Sequence, residues 1–182
     1  MESKKDIRKR VLAVRNSISK REWEEKSCII FQTVITHPFF LDSEEIYCYM
    51  DYRNEVGTKR MIEAAWKTGK RVAVPRISGE NMEFYYIKSF EELHTGMFGI
   101  MEPQEKTPAS GKNGLVLMPG AVFDKNRNRI GYGRGYYDRY LNAHPEQKTM
   151  ALAFAFQVLE SIPADIHDIR PQIIVTEEKI YV

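Results

Sequence analysis

The sequence predicts a three-layer α/β fold, a single domain over residues 1–182 with a mainly parallel central sheet. Three observations carry this prediction: short apolar runs of strand length, segments of helical period between them, and turn residues at the joints. A chain of 182 residues also has room for a substantial core.

The elements follow in order. Ser3 and Asp6 are placed to cap a first helix, along which Ile7, Val11, Val14 and Ile18 recur at helical spacing. Ser19 and Glu22 form a capping box for a second helix, with Trp23, Ile30, Phe31 and Val34 on its apolar face and Pro38 marking its end. The run EIYCYM (45–50) predicts a buried strand. Thr58 is placed to cap a helix that Gly69 stops. RVAVPRI (71–77) and MEFYYI (82–87) read as further strands, and the polar stretch 102–114 as a loop. LVLMPG (115–120) is a strand ending at Pro-Gly. A helix is expected over about 136–142, a strand over 149–156, and a closing hairpin from 172–177 and 179–182.

Composition limits the function classes. Hydrophobic residues are 43% and charged residues 29% of the chain, as in ordinary water-soluble domains. A net charge of +2 weighs against a dedicated nucleic-acid binder and leaves room for a local basic pocket. Cys28 and Cys48 form neither a disulfide framework nor a metal-binding spacing, so buried free thiols in a reducing compartment are expected. The charged start MESKKDIRKR has no apolar stretch behind it, and no run approaches membrane-spanning length. A cytoplasmic protein with no membrane or nucleic-acid partner is the expectation.

The most informative stretch is NRIGYGRGYYDRYL, residues 128–141. Its glycines at 131, 133 and 135 follow a strand and precede a helix. Ligands of open α/β sheets bind beyond the C-terminal strand ends, and glycines let backbone N–H groups close on an anion. Neither standard nucleotide fingerprint is present: Gly69-Lys70 and Gly111-Lys112 lack the rest of a P-loop, and Tyr136 stands where a third dinucleotide glycine belongs. From the glycines alone a plain turn or barrel-corner bend is the favoured reading, and the charges around them shift the balance. Lys125, Arg127, Arg129, Arg134 and Arg139 crowd the same window. Arg134, held between glycines, suits phosphate oxygens. Asp138 suits three roles: complementing the helix dipole, pairing with Arg134 four residues earlier, or binding Mg²⁺. Tyr137 and Leu141 are expected to face the core and Tyr136 to line a site.

The block LMPGAVFDKNRNRIGYGRGYYDRYL resembles the 5-formyltetrahydrofolate cyclo-ligase family, also called 5,10-methenyltetrahydrofolate synthetases. KKDIRKRVLAVRNSIS, YMDYRNEVGT, VAVPRI, FGIMEP and IPADIHD match in the family's order, so the resemblance covers essentially the whole chain. It implies a three-layer α/β fold and the ATP- and Mg²⁺-dependent cyclisation of 5-formyltetrahydrofolate to 5,10-methenyltetrahydrofolate through a phosphorylated formyl group. For ATP it implies Lys4, Lys5, Asp6, Ile7 and Arg8 together with Arg129, Ile130, Gly131, Tyr132, Gly133, Arg134, Gly135, Tyr136 and Tyr137. For folate it implies Arg8, Met50, Glu55, Phe98 and residues Tyr132 to Tyr136, and for Mg²⁺ Asp138 and Asp168. Arg134, Lys4 and Tyr136 are the implied catalytic residues. Many members carry lysine where this chain has Arg134. The partner implied is a folate, with or without a polyglutamate tail, bound by a monomer.

From the residues alone these positions have plainer readings. Lys4, Lys5 and Arg8 are a solvated helix face, Glu55 a loop charge, Asp168 a turn cap, Phe98 a core residue, and His37, His94, His144 and His167 surface histidines. Two other functions compete: a single-stranded RNA-binding module and a sugar-phosphate isomerase-like enzyme.

Overall fold

Runs of β-branched and aliphatic residues too short for helices set the centre of the molecule. In the computed structural model, which describes residues 2–165 and 168–182, seven strands form one sheet. In chain order they are β1 (Glu45–Cys48), β2 (Arg71–Ser78), β3 (Asn81–Ile87), β6 (Leu115–Met118), β9 (Lys148–Leu152), β11 (Ile173–Val175) and β12 (Ile180–Tyr181). Between them lie a two-stranded ribbon, β4 (Leu93–Thr95) with β5 (Met101–Pro103), and a small sheet of β7 (Val122–Asp124), β8 (Arg129–Ile130) and β10 (Val158–Leu159). The main order is β12-β11-β9-β6-β1-β2-β3. The five inner strands are parallel, and β3 and β12 add antiparallel edges.

Both faces of the sheet are covered, which is why its strands read as continuous apolar runs rather than alternating ones. On one face Ile46, Cys48, Val72, Leu117 and Leu152 pack with helices α2 (Lys20–Thr36) and α4 (Lys59–Lys67). On the other, Tyr47, Val116, Met118 and Ala151 pack with helix α5 (Tyr136–Ala143) and Phe123. Helix α1 (Lys4–Ser17) places Ile7 and Val11 against Ala121, Val122 and Ile130. The short helix α3 (Pro38–Asp42) is capped by His37, whose Nδ1 accepts the Phe39 N–H at 3.1 Å.

The helix starts follow the capping residues. Ser3 Oγ accepts the Asp6 N–H at 3.2 Å, and Ser19 Oγ accepts the Glu22 N–H at 3.1 Å. Gly69 closes α4 in the left-handed region at φ 75°. Some expectations are corrected. Val14 is exposed, and the buried stripe of α1 is Ile7, Val11 and Arg15. Thr58 makes no side-chain cap; its N–H and hydroxyl both donate to Asp51 Oδ1. The strand expected over 149–156 stops at Leu152, and Ala155–Gln157 turns as a 3-10 helix, fixed by Gln157 accepting the Phe154 N–H. The polar stretch 102–114 is irregular except for its first two residues, which belong to β5. Cys48 is buried as expected, but Cys28 is half-buried beside Arg60.

The β7–β8 turn leads directly into the glycine segment, and a buried carboxylate fixes it. Asp124 is 0% exposed. Its Oδ1 accepts the N–H groups of Asn126 (2.9 Å) and Asn128 (2.8 Å), and its Oδ2 accepts Asn128 Nδ2 (2.7 Å) and the Ile162 N–H (3.1 Å). Removing the carboxylate strands several buried donors at once. Asp124→Ala is therefore expected to cost on the order of 3 kcal/mol in chemical denaturation, and Asp124→Asn, which keeps one acceptor, distinctly less.

Candidate active site

The C-terminal ends of the parallel strands open onto a cavity of about 620 Å³. Tyr49 and Met50 follow β1, Pro75 and Ile77 lie on β2, and Pro119 follows β6, all lining it. Six basic residues (Lys4, Arg8, Arg15, Arg53, Arg129 and Arg134) face four acidic ones (Glu55, Glu102, Asp138 and Asp168). The lining thus carries a net positive excess that the whole-chain charge conceals.

The glycine segment forms one wall, from Arg129 to Asp138. Gly133 takes φ 91° and Gly135 takes φ 67°, a left-handed conformation at the N-cap of α5 that a side chain would strain. Among the described residues no side chain caps α5, so the N–H groups of its first turn are left without a side-chain acceptor at the cavity wall, with the helix dipole behind them. Arg134 is exposed, its guanidinium 5.8 Å from the Phe98 ring centroid. Phe98 is itself 52% exposed, against its reading as a core residue, and holds φ 64°, a strained conformation for a non-glycine residue.

Asp138 does not pair with Arg134. Its Oδ1 accepts Arg129 Nη2 at 2.9 Å and the Ile169 N–H at 3.1 Å. Arg129 is buried and its Nε has no partner among the described residues. Helix α1 supplies the next wall. Arg8 donates to the Gly131 carbonyl at 3.3 Å. Lys4 Nζ bridges Asp165 and Asp168, the latter at 2.6 Å. Partial burial works to raise the Asp168 carboxyl, but hydrogen bonds from Lys4 and the Asp165 N–H outweigh it and hold the group below the usual carboxylate range. Partial burial works to lower the Lys4 ammonium, and its two carboxylate partners raise it instead.

Glu55 sits on the third wall, 8% exposed, in the loop after β1. Arg53 and Asn54 precede it in left-handed conformations, and Trp23 Nε1 donates to its carbonyl at 2.7 Å. Its Oε2 accepts the Tyr52 N–H at 2.9 Å, and its Oε1 accepts the Tyr132 hydroxyl. Burial pushes its carboxyl above the ordinary range, opposed by the Tyr132 hydrogen bond and the Arg15 charge. Burial, reinforced by the Glu55 charge, pushes the Tyr132 hydroxyl well up, so it stays a donor at neutral pH.

Most of the residues singled out from the sequence thus meet in one cavity: Lys4, Arg8, Met50, Glu55, Phe98, 129–138 and Asp168. Lys5, Asp6 and Ile7 do not line it; Lys5 and Asp6 point to solvent and Ile7 packs in the core. His37, His94 and His144 lie elsewhere, and His167 falls outside the described residues. Arg15, Tyr52, Arg53 and Glu102 line the cavity without having been singled out. The four-residue spacing of Ile7, Val11 and Arg15 was the available signal for Arg15.

Fold and cavity together define an α/β protein with a cation-rich cavity of small-molecule size at its strand ends. A model of the 5-formyltetrahydrofolate cyclo-ligase family matches residues 1–177. A mouse protein named 5-formyltetrahydrofolate cyclo-ligase is 32% identical over 97% of this chain and 94% of its own length. The solution structure of an Aquifex aeolicus 5,10-methenyltetrahydrofolate synthetase superposes with a TM-score of 0.88 at 31% identity, covering 97% of this chain and 91% of that one. A Mycoplasma pneumoniae 5,10-methenyltetrahydrofolate synthetase shares the fold, with a TM-score of 0.79 at 24% identity over 97% and 99% of the two chains. The chain belongs to the 5-formyltetrahydrofolate cyclo-ligase family.

The Lys4–Asp168 pair carries a pH signature. Asp168 titrates below its unfolded value, so its stabilising contribution is present above the ordinary carboxylate range and lost as pH falls through the folded value. Asp168→Asn is expected to flatten the acid side of the stability–pH curve, from about pH 4 downward, with little change in that slope at neutral pH; thermal melts across a pH series measure it.

Proposed function

We propose that this chain cyclises 5-formyltetrahydrofolate to 5,10-methenyltetrahydrofolate, consuming ATP and releasing ADP and phosphate. The observation that carries the reading is the uncapped N-terminus of α5 behind a glycine loop, with Arg134, Arg8 and Lys4 on the same cavity. That arrangement suits a polyphosphate, while Met50, Ile77, Met82 and Phe98 offer apolar surface to a planar ring.

The formyl oxygen is a poor leaving group. In the proposed reaction it attacks the terminal phosphorus of ATP, here a co-substrate, and ADP departs. N10 of the folate then attacks the activated carbon, the C–O bond breaks, phosphate leaves, and the N10 proton passes to solvent. Such transfer needs positioning and charge neutralisation more than a protein nucleophile. Arg134 would neutralise the transferring group, and Lys4 would hold Asp168 in place and add positive charge. The loop N–H groups would fix the oxygens, and Tyr136 would line the folate side.

A magnesium ion fits the donors present. Asp138 Oδ2 and Asp168 Oδ1 accept no hydrogen bond among the described residues, since their recorded bonds fall on the other oxygen of each. No cluster of three or more His, Cys, Asp or Glu suited to a metal occurs among the described residues. Mg²⁺ typically takes one or two carboxylates and completes its shell with phosphate oxygens and water, so two carboxylates suffice. When bound, it would screen charge between the phosphates.

The direct test is purified protein with 5-formyltetrahydrofolate, ATP and Mg²⁺, followed by growth of the methenyl near-ultraviolet absorbance. Omitting ATP, or adding a chelator, is expected to abolish it; turnover without ATP would sink the reading. Arg134→Ala is expected to lower kcat by at least about 100-fold with an unchanged melting temperature, because this side chain is exposed and makes no ion pair among the described residues. Arg134→Lys should restore part of the loss, measuring how much the planar fork adds to the charge.

A further inference from the structure

Arg15 is a buried cation that has no direct carboxylate partner among the described residues. It is 3% exposed, on the stripe of α1 that otherwise carries Ile7 and Val11. Its Nη1 donates to the Tyr132 hydroxyl at 2.8 Å, its guanidinium lies 5.8 Å from that ring's centroid, and its Nε has no partner among the described residues. Burying a guanidinium is costly unless something uses its charge. The Tyr132 hydroxyl passes the interaction on by donating to Glu55. Asn54 Nδ2 donates to the Arg15 carbonyl at 3.2 Å, fastening the Glu55 loop to the same turn of helix. Three segments far apart in sequence therefore meet at one phenol.

We infer that Arg15 is a positioning residue of the substrate site: through Tyr132 it holds Glu55 as a fixed, charged acceptor for the N–H edge of a planar heterocycle. The substrate part of this inference rests on the folate reading above. Glu55 is faced by Asp51 and Arg53 from its own loop, Tyr49 after β1, Arg15 from α1, Tyr132 from the glycine segment and Tyr137 from α5. Of the two cations in that set, Arg15 is the one linked to Glu55 through a hydroxyl. Tyr49 and Tyr137 are neutral, and Asp51 opposes ionisation. Without Arg15 the carboxyl protonates at higher pH, and the acceptor is lost as pH falls.

The test needs no ligand. Carbon NMR of the glutamate carboxyls in the whole protein follows the Glu55 titration. Arg15→Met should move its midpoint up by about one unit or more, and Arg15→Lys should move it less. Tyr132→Phe, at a residue 46% exposed, keeps the ring and cuts the link, so it should shift the midpoint in the same direction even where Arg15→Met folds poorly. The double variant should shift further than either single one, because the Arg15 charge and the Tyr132 hydrogen bond each favour the ionised carboxyl. In turnover, the KM for 5-formyltetrahydrofolate should rise in Arg15→Met as pH falls and return toward the wild-type value as pH rises, with kcat nearly constant. An unmoved Glu55 midpoint in folded Tyr132→Phe would overturn the inference, as would a KM penalty equal at every pH. If the wild type fails to turn over, the folate reading falls, while the NMR titration still decides the role of Arg15.

Discussion

The candidate site depends on a carboxylate that never touches it. Asp124 gathers four nitrogen donors around two oxygens in a fully buried position. Two of them close the β7–β8 turn, a third belongs to Asn128 just before β8, and the fourth comes from Ile162, on the segment leading toward Asp168. One ionised group thus sets the start of the glycine segment and the approach of the chain carrying Asp168. Asp138 repeats the device on a smaller scale, joining Arg129 to the Ile169 N–H. A fully buried carboxylate such as Asp124 is tolerated because both its oxygens are used, and it fixes geometry where apolar packing alone would leave play.

Much of the architecture was legible because it rests on local rules. Helix starts followed Ser3 and Ser19, the strands followed apolar runs, and the cavity fell at the strand ends after Met50 and Pro119. The departures share a different cause. Thr58 has the chemistry of a cap, yet Asp51 takes its hydroxyl from across a loop. Arg134 stands one helical turn before Asp138, yet Arg129 wins that carboxylate because it is buried beside it. Val14 lost its place on the buried stripe to Arg15, a charged residue that no apolar pattern would choose. In each case a tertiary partner, invisible in a local window, outcompeted a sound local preference. The site was legible chiefly through the family resemblance; the glycines and charges alone left an anion cradle and a plain turn in balance.

The cavity divides its charges by origin. Cations come mainly from α1 and the glycine segment, and three of the four carboxylates sit in pairs that those cations already engage: Lys4 with Asp168, Arg129 with Asp138, and Arg15 with Glu55 through Tyr132. Arg134 stands apart, exposed and free of any ion pair among the described residues. Arg53 over Tyr52 is likewise exposed and without an ion pair among the described residues, so a ligand anion meets two uncommitted guanidiniums and a set of held ones. The held charges define shape, and Arg134 is left free of such ties.

Helix α1 reaches the cavity by contacts that span almost the full chain, since Lys4 meets partners 161 and 164 positions away. During synthesis this helix emerges long before most of what it binds. Its stripe of Ile7, Val11 and Arg15 must wait, unshielded, until the last third of the chain has left the ribosome. Contacts of such long sequence separation form slowly and leave apolar surface open to wrong partners meanwhile. The cavity is consequently among the last features to close, so a chain released early would present the sheet's first strands but no working site.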